Sequence, residues 1–319
     1  MDETGPVYSE SMSLSVRVLA ALAILTLLAG ACASAVPAGT PSASAVPTAG
    51  SNPTSAGSAS PAAAATSPIQ SADVAHPVGI IAVGHSGLTG EGTGAGNEPV
   101  EANSWATGTD PQVDSVYLRM VAALPATEGH ASNTAVGGAL AETLSPQAQA
   151  ALADVPAPAL AVIQTVDNDI RCDAANVKDV GASVAEALAL IHGASPNTKI
   201  LVAGQLGRPS VAFVQDLVAH DPSKKQGLTW GDDCTFFDSA GKIHEAGFEK
   251  LTAAIDAYEA ETARVCAAVP NCVTDGGVRR AWIDQIDLFS PVDDGHLNKQ
   301  GQAAEAKQIW PVVENLLGG

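Results

Sequence analysis

Gly79-Ile80-Ile81-Ala82-Val83-Gly84-His85-Ser86-Gly87-Leu88-Thr89 is the stretch that decides the fold. Its apolar run, which ends at Val83, is typical of a buried strand, and the small polar residues after it predict a tight turn. Ser86 would then lie at the carboxyl end of that strand. Because ligands of open α/β sheets bind at the carboxyl ends of strands, this serine is a candidate nucleophile if a histidine and a carboxylate reach it.

The rest of the chain, from about Pro77 to Gly319, alternates strand-like and helix-like runs around an irregular, Cys-containing insertion at 221–242. The strands are predicted at 78–84, 131–136, 159–166, 199–203 and 272–275. The helices are predicted at 113–124, 145–152 with Ser145 as N-cap, 177–192 ended by Gly193, 211–218, 244–269 and 299–317. Such alternation predicts parallel βαβ units and a three-layer α/β/α sandwich over residues 77–319.

The composition excludes some functions. Hydrophobic residues make up 46% of the 319 residues, which is enough for a sizeable core, and the net charge is -19. Non-specific binding of nucleic acid needs clustered Lys and Arg, so we expect no nucleic-acid partner. The same acidic balance argues against attachment to anionic lipid through protein charge alone.

The first 32 residues are predicted to be a signal peptide. Residues 18–29 are almost wholly apolar and too few to span a bilayer, and their last two residues begin the run Leu28-Ala29-Gly30-Ala31-Cys32. This run resembles a bacterial lipobox in which Cys32 is lipidated, although Ala29 stands where Leu is usual. Ordinary secretion, with cleavage after Ala31 or Ala33, stays open. So does a start at Met12, which would remove the acidic residues at the N-terminus.

Residues 33–76 are predicted to be a disordered linker. They consist mainly of Ala, Pro, Ser, Thr and Gly, and the first charged residue among them is Asp73. Such a stretch has few large apolar groups to bury, so it would tether the domain rather than fold.

Four cysteines follow the linker, and an even number in an exported protein predicts two disulfides. Three pairings are possible. We favour Cys266 with Cys272, which closes a short loop, and Cys172 with Cys234. The sequence contains neither a CxxC nor an HExxH motif, so a zinc site is disfavoured.

Polar residues follow several of the predicted strands on one side of the sheet. Ser86 follows the first strand, Gly137-Gly138 the second and Asn168 the third, within Thr165-Val166-Asp167-Asn168-Asp169. Asp293 and His296 lie in Asp293-Asp294-Gly295-His296-Leu297-Asn298, just before the last helix.

In this order the four stretches resemble the sequence blocks of the SGNH, or GDSL, hydrolase superfamily. The resemblance extends from about Val78 to the C-terminus. Two runs of the sequence are similar to runs in exported actinobacterial members of this superfamily. They are 104–108 (Ser-Trp-Ala-Thr-Gly) and 167–172 (Asp-Asn-Asp-Ile-Arg-Cys). It implies an α/β/α sandwich with a parallel, flavodoxin-like sheet, and a serine ester hydrolase that needs no metal or cofactor.

The resemblance also implies a role for each site residue. Ser86 matches the nucleophile, His296 the general base, and Asp293 the carboxylate that orients the imidazole. The N–H groups of Ser86 and Gly138 and the side-chain amide of Asn168 match the oxyanion donors. These groups suit acyl transfer, because the developing negative charge meets donors that are already in place.

The chain departs from the family pattern at two positions. His85 stands where the family has Asp, and Val166 stands where it usually has Gly. Asp294 is a less favoured candidate than Asp293 for the carboxylate that orients the imidazole. An ordinary α/β-hydrolase elbow is disfavoured, because Leu88 occupies the last glycine position of GxSxG.

Other features have more ordinary interpretations. The glycine-rich run 90–96 is predicted to be a flexible rim of the site, since it matches no phosphate-binding motif. Trp105 and Trp230 are either pocket walls or core aromatics. The remaining histidines after the linker have no partner pattern and are interpreted as structural or solvated.

The sequence therefore predicts an exported, monomeric serine esterase that acts on short-acyl or acetyl esters, either small molecules or cell-envelope components. Its only link to a membrane would be the lipid anchor at Cys32. A non-catalytic module that binds cell-envelope glycans, and an acyltransferase, remain as alternatives on the same fold.

Overall fold

The structure is a computed structural model that describes residues 77–226, 229–230, 234–280 and 285–318. The predicted signal peptide, with Cys32, and the predicted linker lie outside the described residues. Seven strands are described: β1 Ile80–Gly84, β2 Ala131–Asn133, β3 Leu160–Gln164, β4 Lys199–Ala203, β5 Thr229–Trp230, β6 Cys234–Thr235 and β7 Cys272–Thr274.

Five of these strands form one parallel sheet in the order β2-β1-β3-β4-β7. Every residue of β1 and β3 is buried, as expected for central strands that are covered on both faces. Counted along the sheet, this is the 2-1-3-4-5 order of a flavodoxin-like fold. The predicted fold class is therefore confirmed.

Helices cover both faces of the sheet. They are α1 Val116–Ala123, α2 Leu144–Asp154, α3 Val177–Ala194, α4 Val211–His220, α5 Glu245–Cys266 and α6 Lys299–Gly318. Successive strand residues point to opposite faces, so Ile81 and Val83 join one core with α2, α3 and α5. Ile80 and Ala82 join the other core with α1 and α6. This arrangement is the predicted three-layer sandwich.

Two helices begin at other residues than predicted. α1 begins at Val116 rather than at 113, because the Ser115 side chain caps it by accepting a hydrogen bond from the Leu118 N–H. The predicted N-cap of α2, Ser145, lies inside that helix, which begins at Leu144 after a 3₁₀ turn over Ala141–Thr143.

The end of α3 also differs from the prediction. Gly193 does not end the helix, which continues to Ala194. Ser195 is the first residue outside it, with φ -143° and ψ 86°. Since Ser195 precedes Pro196, the proline ring disfavours a helical conformation there. The stop signal is therefore the proline and not the glycine.

The insertion after α4 is more regular than predicted. It contains a 3₁₀ turn over Pro222–Gln226 and an antiparallel pair formed by β5 and β6. Both favoured disulfides are present: Cys172–Cys234 joins β6 to the loop after β3, and Cys266–Cys272 joins the end of α5 to β7.

Over the ranges that the structure describes, no helix is both long enough and apolar enough to cross a membrane.

Candidate active site

The turn after β1 is fixed by close contacts with the end of β3. Gly84 has φ 147°, and a Cβ on it would lie 1.9 Å from the carbonyl oxygen of Gln164. Only glycine fits this approach of two backbones. The Gly84 N–H donates to the side-chain oxygen of Gln147 (2.6 Å), so the turn is also tied to α2.

Ser86 is the first residue of a 3₁₀ turn, Ser86–Leu88, that is separated from Gly84 only by His85. His85 caps this turn, because its Nδ1 accepts a hydrogen bond from the Gly87 N–H (3.2 Å). The Thr89 hydroxyl donates to the Ser86 carbonyl oxygen (2.9 Å). Ser86 is only 8% exposed, and what remains accessible faces a cavity of about 600 Å³ at the carboxyl edge of the sheet.

His296 and Asp293 form a bonded pair on the loop before α6. The Asp293 Oδ2 lies 2.5 Å from the His296 Nδ1, and the Asp293 Oδ1 accepts hydrogen bonds from the N–H groups of Gly295 and His296. Burial by itself raises the pKa of Asp293. The hydrogen bonds from His296 and from these backbone groups lower it by more, so the net pKa lies below its ordinary value.

Asp294 has a different partner. Its carboxylate lies 2.7 Å from the Nζ of Lys224, which belongs to the 3₁₀ turn of the insertion. Asp294 also has φ 55°, in the left-handed region, whereas Asp293 is not among the residues with positive φ. Of the two adjacent aspartates, Asp293 is therefore the one that contacts the imidazole.

Asn168 lies in the loop after β3, at the entrance to the same cavity. Val166 has φ 87°, so this branched residue holds a backbone conformation that favours the glycine usual in the family. The Asn168 side-chain amide donates to the Ala139 carbonyl oxygen (2.9 Å), which links the third block to the second. An amide group carries two hydrogens, so the second is left for a ligand.

The structure brings together four of the five predicted site residues. Ser86, Asn168, Asp293 and His296 line the one cavity. Gly138, with φ 72°, lines a separate cavity between β2 and α2.

His296 does not contact the predicted nucleophile directly. Among the contacts of the described residues, no hydrogen bond joins the Ser86 Oγ to the His296 ring. Instead, the His296 Nε2 lies 3.3 Å from the Oε2 of Glu91, in the glycine-rich run. Glu91 was not predicted, because the sequence pattern of that run indicates only a loop.

Two further ion pairs line the cavity, and neither pairing was predicted. The His85 Nε2 lies 3.2 Å from the Asp167 Oδ2, and the Arg279 Nε lies 2.7 Å from the Glu305 Oε1. Burial raises the pKa of Asp167, but the nearby His85 and Arg279 outweigh it and leave the pKa lowered. Burial raises the pKa of Glu305 by more than Arg279 lowers it, so the net pKa lies above its ordinary value. Pairing across remote loops leaves no signal in the sequence.

The side of the cavity that faces α4 and α5 is apolar, with wall residues that include Leu206, Phe213, Val214, Leu217 and Phe289. Trp105, by contrast, is fully buried, and its indole N–H donates to Gln164 (3.2 Å). It is therefore a core aromatic and not a pocket wall. Trp230 lies in β5, and its side chain is outside the described part.

The fold and the site together define an α/β protein with a serine, an asparagine and a histidine–aspartate pair around one cavity. Within the part of the chain that the structure describes, no cluster of three or more His, Cys, Asp or Glu could hold a metal ion. An imidazole held by a carboxylate, near a hydroxyl and an amide, is equipped for proton transfer and for stabilising an oxyanion.

Several solved structures of ester-cleaving enzymes are similar to this chain in fold. An extracellular lipase from Streptomyces rimosus shares 17% identity, with a TM-score of 0.48, over 75% of this chain and 99% of its own. A phospholipase A1 from Streptomyces albidoflavus shares 14%, with a TM-score of 0.43, over 75% and 99%. The acetyl xylan esterase Est2A from Butyrivibrio proteoclasticus shares 11%, with a TM-score of 0.39, over 76% and 65%. No protein-family model and no curated protein sequence matches the chain.

Proposed function

We propose that the chain is a serine ester hydrolase of the SGNH type that cleaves carboxylic esters through an acyl-enzyme. Ser86 is the nucleophile, His296 the general base and Asp293 the residue that orients the base. The observation that carries the proposal is the 2.5 Å contact between Asp293 and His296 on a loop that faces the same cavity as Ser86.

The chemistry follows from the bonding of the imidazole. Because Asp293 holds the proton of Nδ1, the lone pair of Nε2 is the one that can take the proton of the Ser86 hydroxyl. The Ser86 oxygen then bonds to the ester carbonyl carbon, and the protonated imidazole returns its proton to the leaving alcohol. Water repeats the two steps on the acyl-serine and releases the carboxylic acid.

The negative charge of each tetrahedral intermediate needs donors. We assign this role to the N–H groups of Ser86 and Gly138 and to the Asn168 amide. Removing one such donor typically lowers kcat by about 10²–10³-fold. The Ala139 contact of Asn168 supports the assignment, since it joins the asparagine to the backbone next to Gly138.

Ester hydrolysis by the domain that begins at Pro77 tests the proposal. We expect p-nitrophenyl acetate and butyrate to be cleaved, and Ser86→Ala to lose at least about a thousandfold in kcat while keeping its fold. Ser223→Ala, an exposed serine that lines the same cavity, is the matched control and should keep full activity. Equal rates for Ser86→Ala and the unmodified protein would disprove the serine assignment.

A second candidate is a non-catalytic module that binds cell-envelope glycans. It is favoured by one observation, namely that the His296 Nε2 contacts Glu91 instead of the Ser86 hydroxyl. The two candidates differ in the reactivity of Ser86. A binding module would leave Ser86 unlabelled by a fluorophosphonate while the domain retains glycan.

We also propose that the protein is exported and held at the membrane through lipidated Cys32. Support comes from the two disulfides, which persist in oxidising compartments. In a bacterial host, Cys32→Ser should move the protein from the membrane fraction to the soluble exported fraction. Unchanged membrane association of that variant would rule out the lipid anchor.

A further inference from the structure

Glu91 lies between the candidate base and the backbone of the second block. Its Oε2 is 3.3 Å from the His296 Nε2. Its Oε1 is 2.4 Å from the point where a Cβ on Gly137 would lie, so the carboxylate rests against the Gly137 backbone. The Glu91 side chain is only 15% exposed. Gly137 directly precedes Gly138, whose N–H is one of the proposed oxyanion donors.

The loop that carries Glu91 is pressed against the loop that carries His296. A Cβ on Gly92, with φ 77°, would lie 2.7 Å from the His296 Cβ and 2.9 Å from the Ser290 Cβ. The loop is fastened on its other side, where the Asn103 amide donates to the Thr93 hydroxyl (2.8 Å). The two residues that follow Glu91 are thus fixed, and Glu91 is not a freely moving surface side chain.

This arrangement blocks the proposed proton transfer. With Asp293 at Nδ1 and Glu91 at Nε2, the imidazole has an acceptor at each nitrogen, and both are satisfied only when the ring carries both protons. A ring in that state has no lone pair to take the Ser86 proton. The other charged groups that line the cavity are paired: Asp294 with Lys224, Asp167 with His85, Arg279 with Glu305, and Arg208 with Asp256 and Glu259.

We propose that Glu91 is a gating residue of this site: its carboxylate, which rests against the Gly137 backbone, holds the His296 Nε2 until an ester displaces it. When Glu91 leaves, the Nε2 proton passes to water, and the freed lone pair takes the proton of Ser86. The inference rests on the proposed function and adds to it a step that precedes acylation.

The first experiment compares the rates at which a fluorophosphonate labels Ser86 in the unmodified domain, Glu91→Gln and Glu98→Gln. Glu98 is an exposed carboxylate in the same loop and is the matched control for the change in charge. We expect Glu91→Gln to be labelled about tenfold faster at pH 7, the factor that loss of one charge-assisted hydrogen bond corresponds to. Glu98→Gln should react like the unmodified domain.

The second readout is the pH profile of labelling, which a merely structural role of Glu91 would not move. Without the carboxylate at Nε2, the imidazolium loses one of its two acceptors. The acid limb of the labelling profile should therefore lie at lower pH in Glu91→Gln and stay in place in Glu98→Gln. An unmoved acid limb, or labelling of Glu91→Gln that is no faster, would overturn the proposal.

A third arm uses sodium acetate as an external carboxylate, with sodium chloride at equal ionic strength as its control. Glu91→Ala removes the carboxylate and leaves space in which acetate can bind. Acetate should therefore slow the labelling of Ser86 in Glu91→Ala and have no effect on labelling in the unmodified domain. Equal effects on both would contradict the gate. Failure of the proposed function itself is distinguishable, because Ser86 would then remain unlabelled in every variant.

Discussion

At the scale of single residues, the Asp293 carboxylate is held by three contacts, two of them with His296 and one with Gly295. One Asp293 oxygen meets the imidazole, and the other accepts two backbone N–H groups of the same loop. The carboxylate therefore fixes both the tautomer of the ring and the shape of the loop. Asp294 has neither contact and pairs with Lys224 instead.

The two adjacent aspartates give the first prediction. Asp293→Asn should lower kcat for p-nitrophenyl butyrate by at least about 10²-fold, because an amide cannot stabilise the imidazolium that forms in the transition state. Asp294→Asn should retain most of the activity. Steady-state kinetics of the two variants decide the assignment, and the reverse ranking would make Asp294 the orienting acid.

The lowered pKa of Asp293 fixes how this pair behaves with pH. Its carboxylate stays ionised below its ordinary value, because the hydrogen bonds outweigh the effect of burial. Loss of activity as the pH falls towards that ordinary value should therefore not come from protonation of Asp293.

The site residues that could be predicted are those whose spacing is local or matches a family block. Ser86, Asn168, Asp293 and His296 all reach one cavity. Glu91, Lys224 and the Arg279–Glu305 pair could not be predicted, because their partners lie in remote segments and are chosen by the path of the loops.

At the scale of elements, the junction of β1 and β3 positions the candidate nucleophile. Gly84→Ala should destabilise the domain by about 3 kcal/mol or more, since its Cβ would meet a backbone carbonyl oxygen that cannot move aside. The control is Gly96→Ala, where a Cβ would meet no described atom within 4 Å. That change should stay within about 0.5 kcal/mol. Urea unfolding followed by circular dichroism measures both, and similar losses would contradict the account.

The disulfides give a second prediction for elements. Cys172–Cys234 joins residues 62 apart, whereas Cys266–Cys272 joins residues 6 apart. Loop-closure entropy then gives about 4 kcal/mol for the first bond and about 2 kcal/mol for the second. Replacing each pair by serine, and comparing unfolding free energies, tests this ranking. A larger loss from the short loop would show that local geometry outweighs chain entropy.

The order and type of the elements in the main sheet could be predicted because the central strands are apolar runs and the helices have periodic faces. Their ends were less predictable. Ser145 is a residue type that usually starts a helix and Gly193 one that usually ends a helix, yet both lie inside helices. The end of α3 is set instead by Pro196, which disfavours a helical conformation at Ser195.

At the scale of the whole molecule, carboxylates set the response to acid. Hydrogen bonds from Arg264 and Lys178 lower the pKa of Glu261 to about 2. The Lys178 contact connects α3 to α5, whereas the Arg264 contact lies within α5. Because the pKa is lowered on folding, the stabilisation is complete above the ordinary value of 4.5 and is lost as the pH falls towards about 2.

The corresponding prediction concerns Glu261→Gln. Its melting temperature should lie below that of the unmodified domain at pH 7, and the gap should close as the pH falls from about 4.5 towards about 2. Glu249→Gln, an exposed carboxylate of the same helix, should show no comparable gap. Calorimetry across this range checks the sign. A gap that widens in acid would contradict the lowered pKa.

The central claim is that Ser86 is activated by His296, and peptide mapping after treatment with a fluorophosphonate tests it most directly. The account predicts one adduct per chain, on Ser86, with labelling abolished in His296→Ala and retained in Ser223→Ala. An adduct on another residue, or Ser86 labelling that proceeds unchanged in His296→Ala, would contradict it.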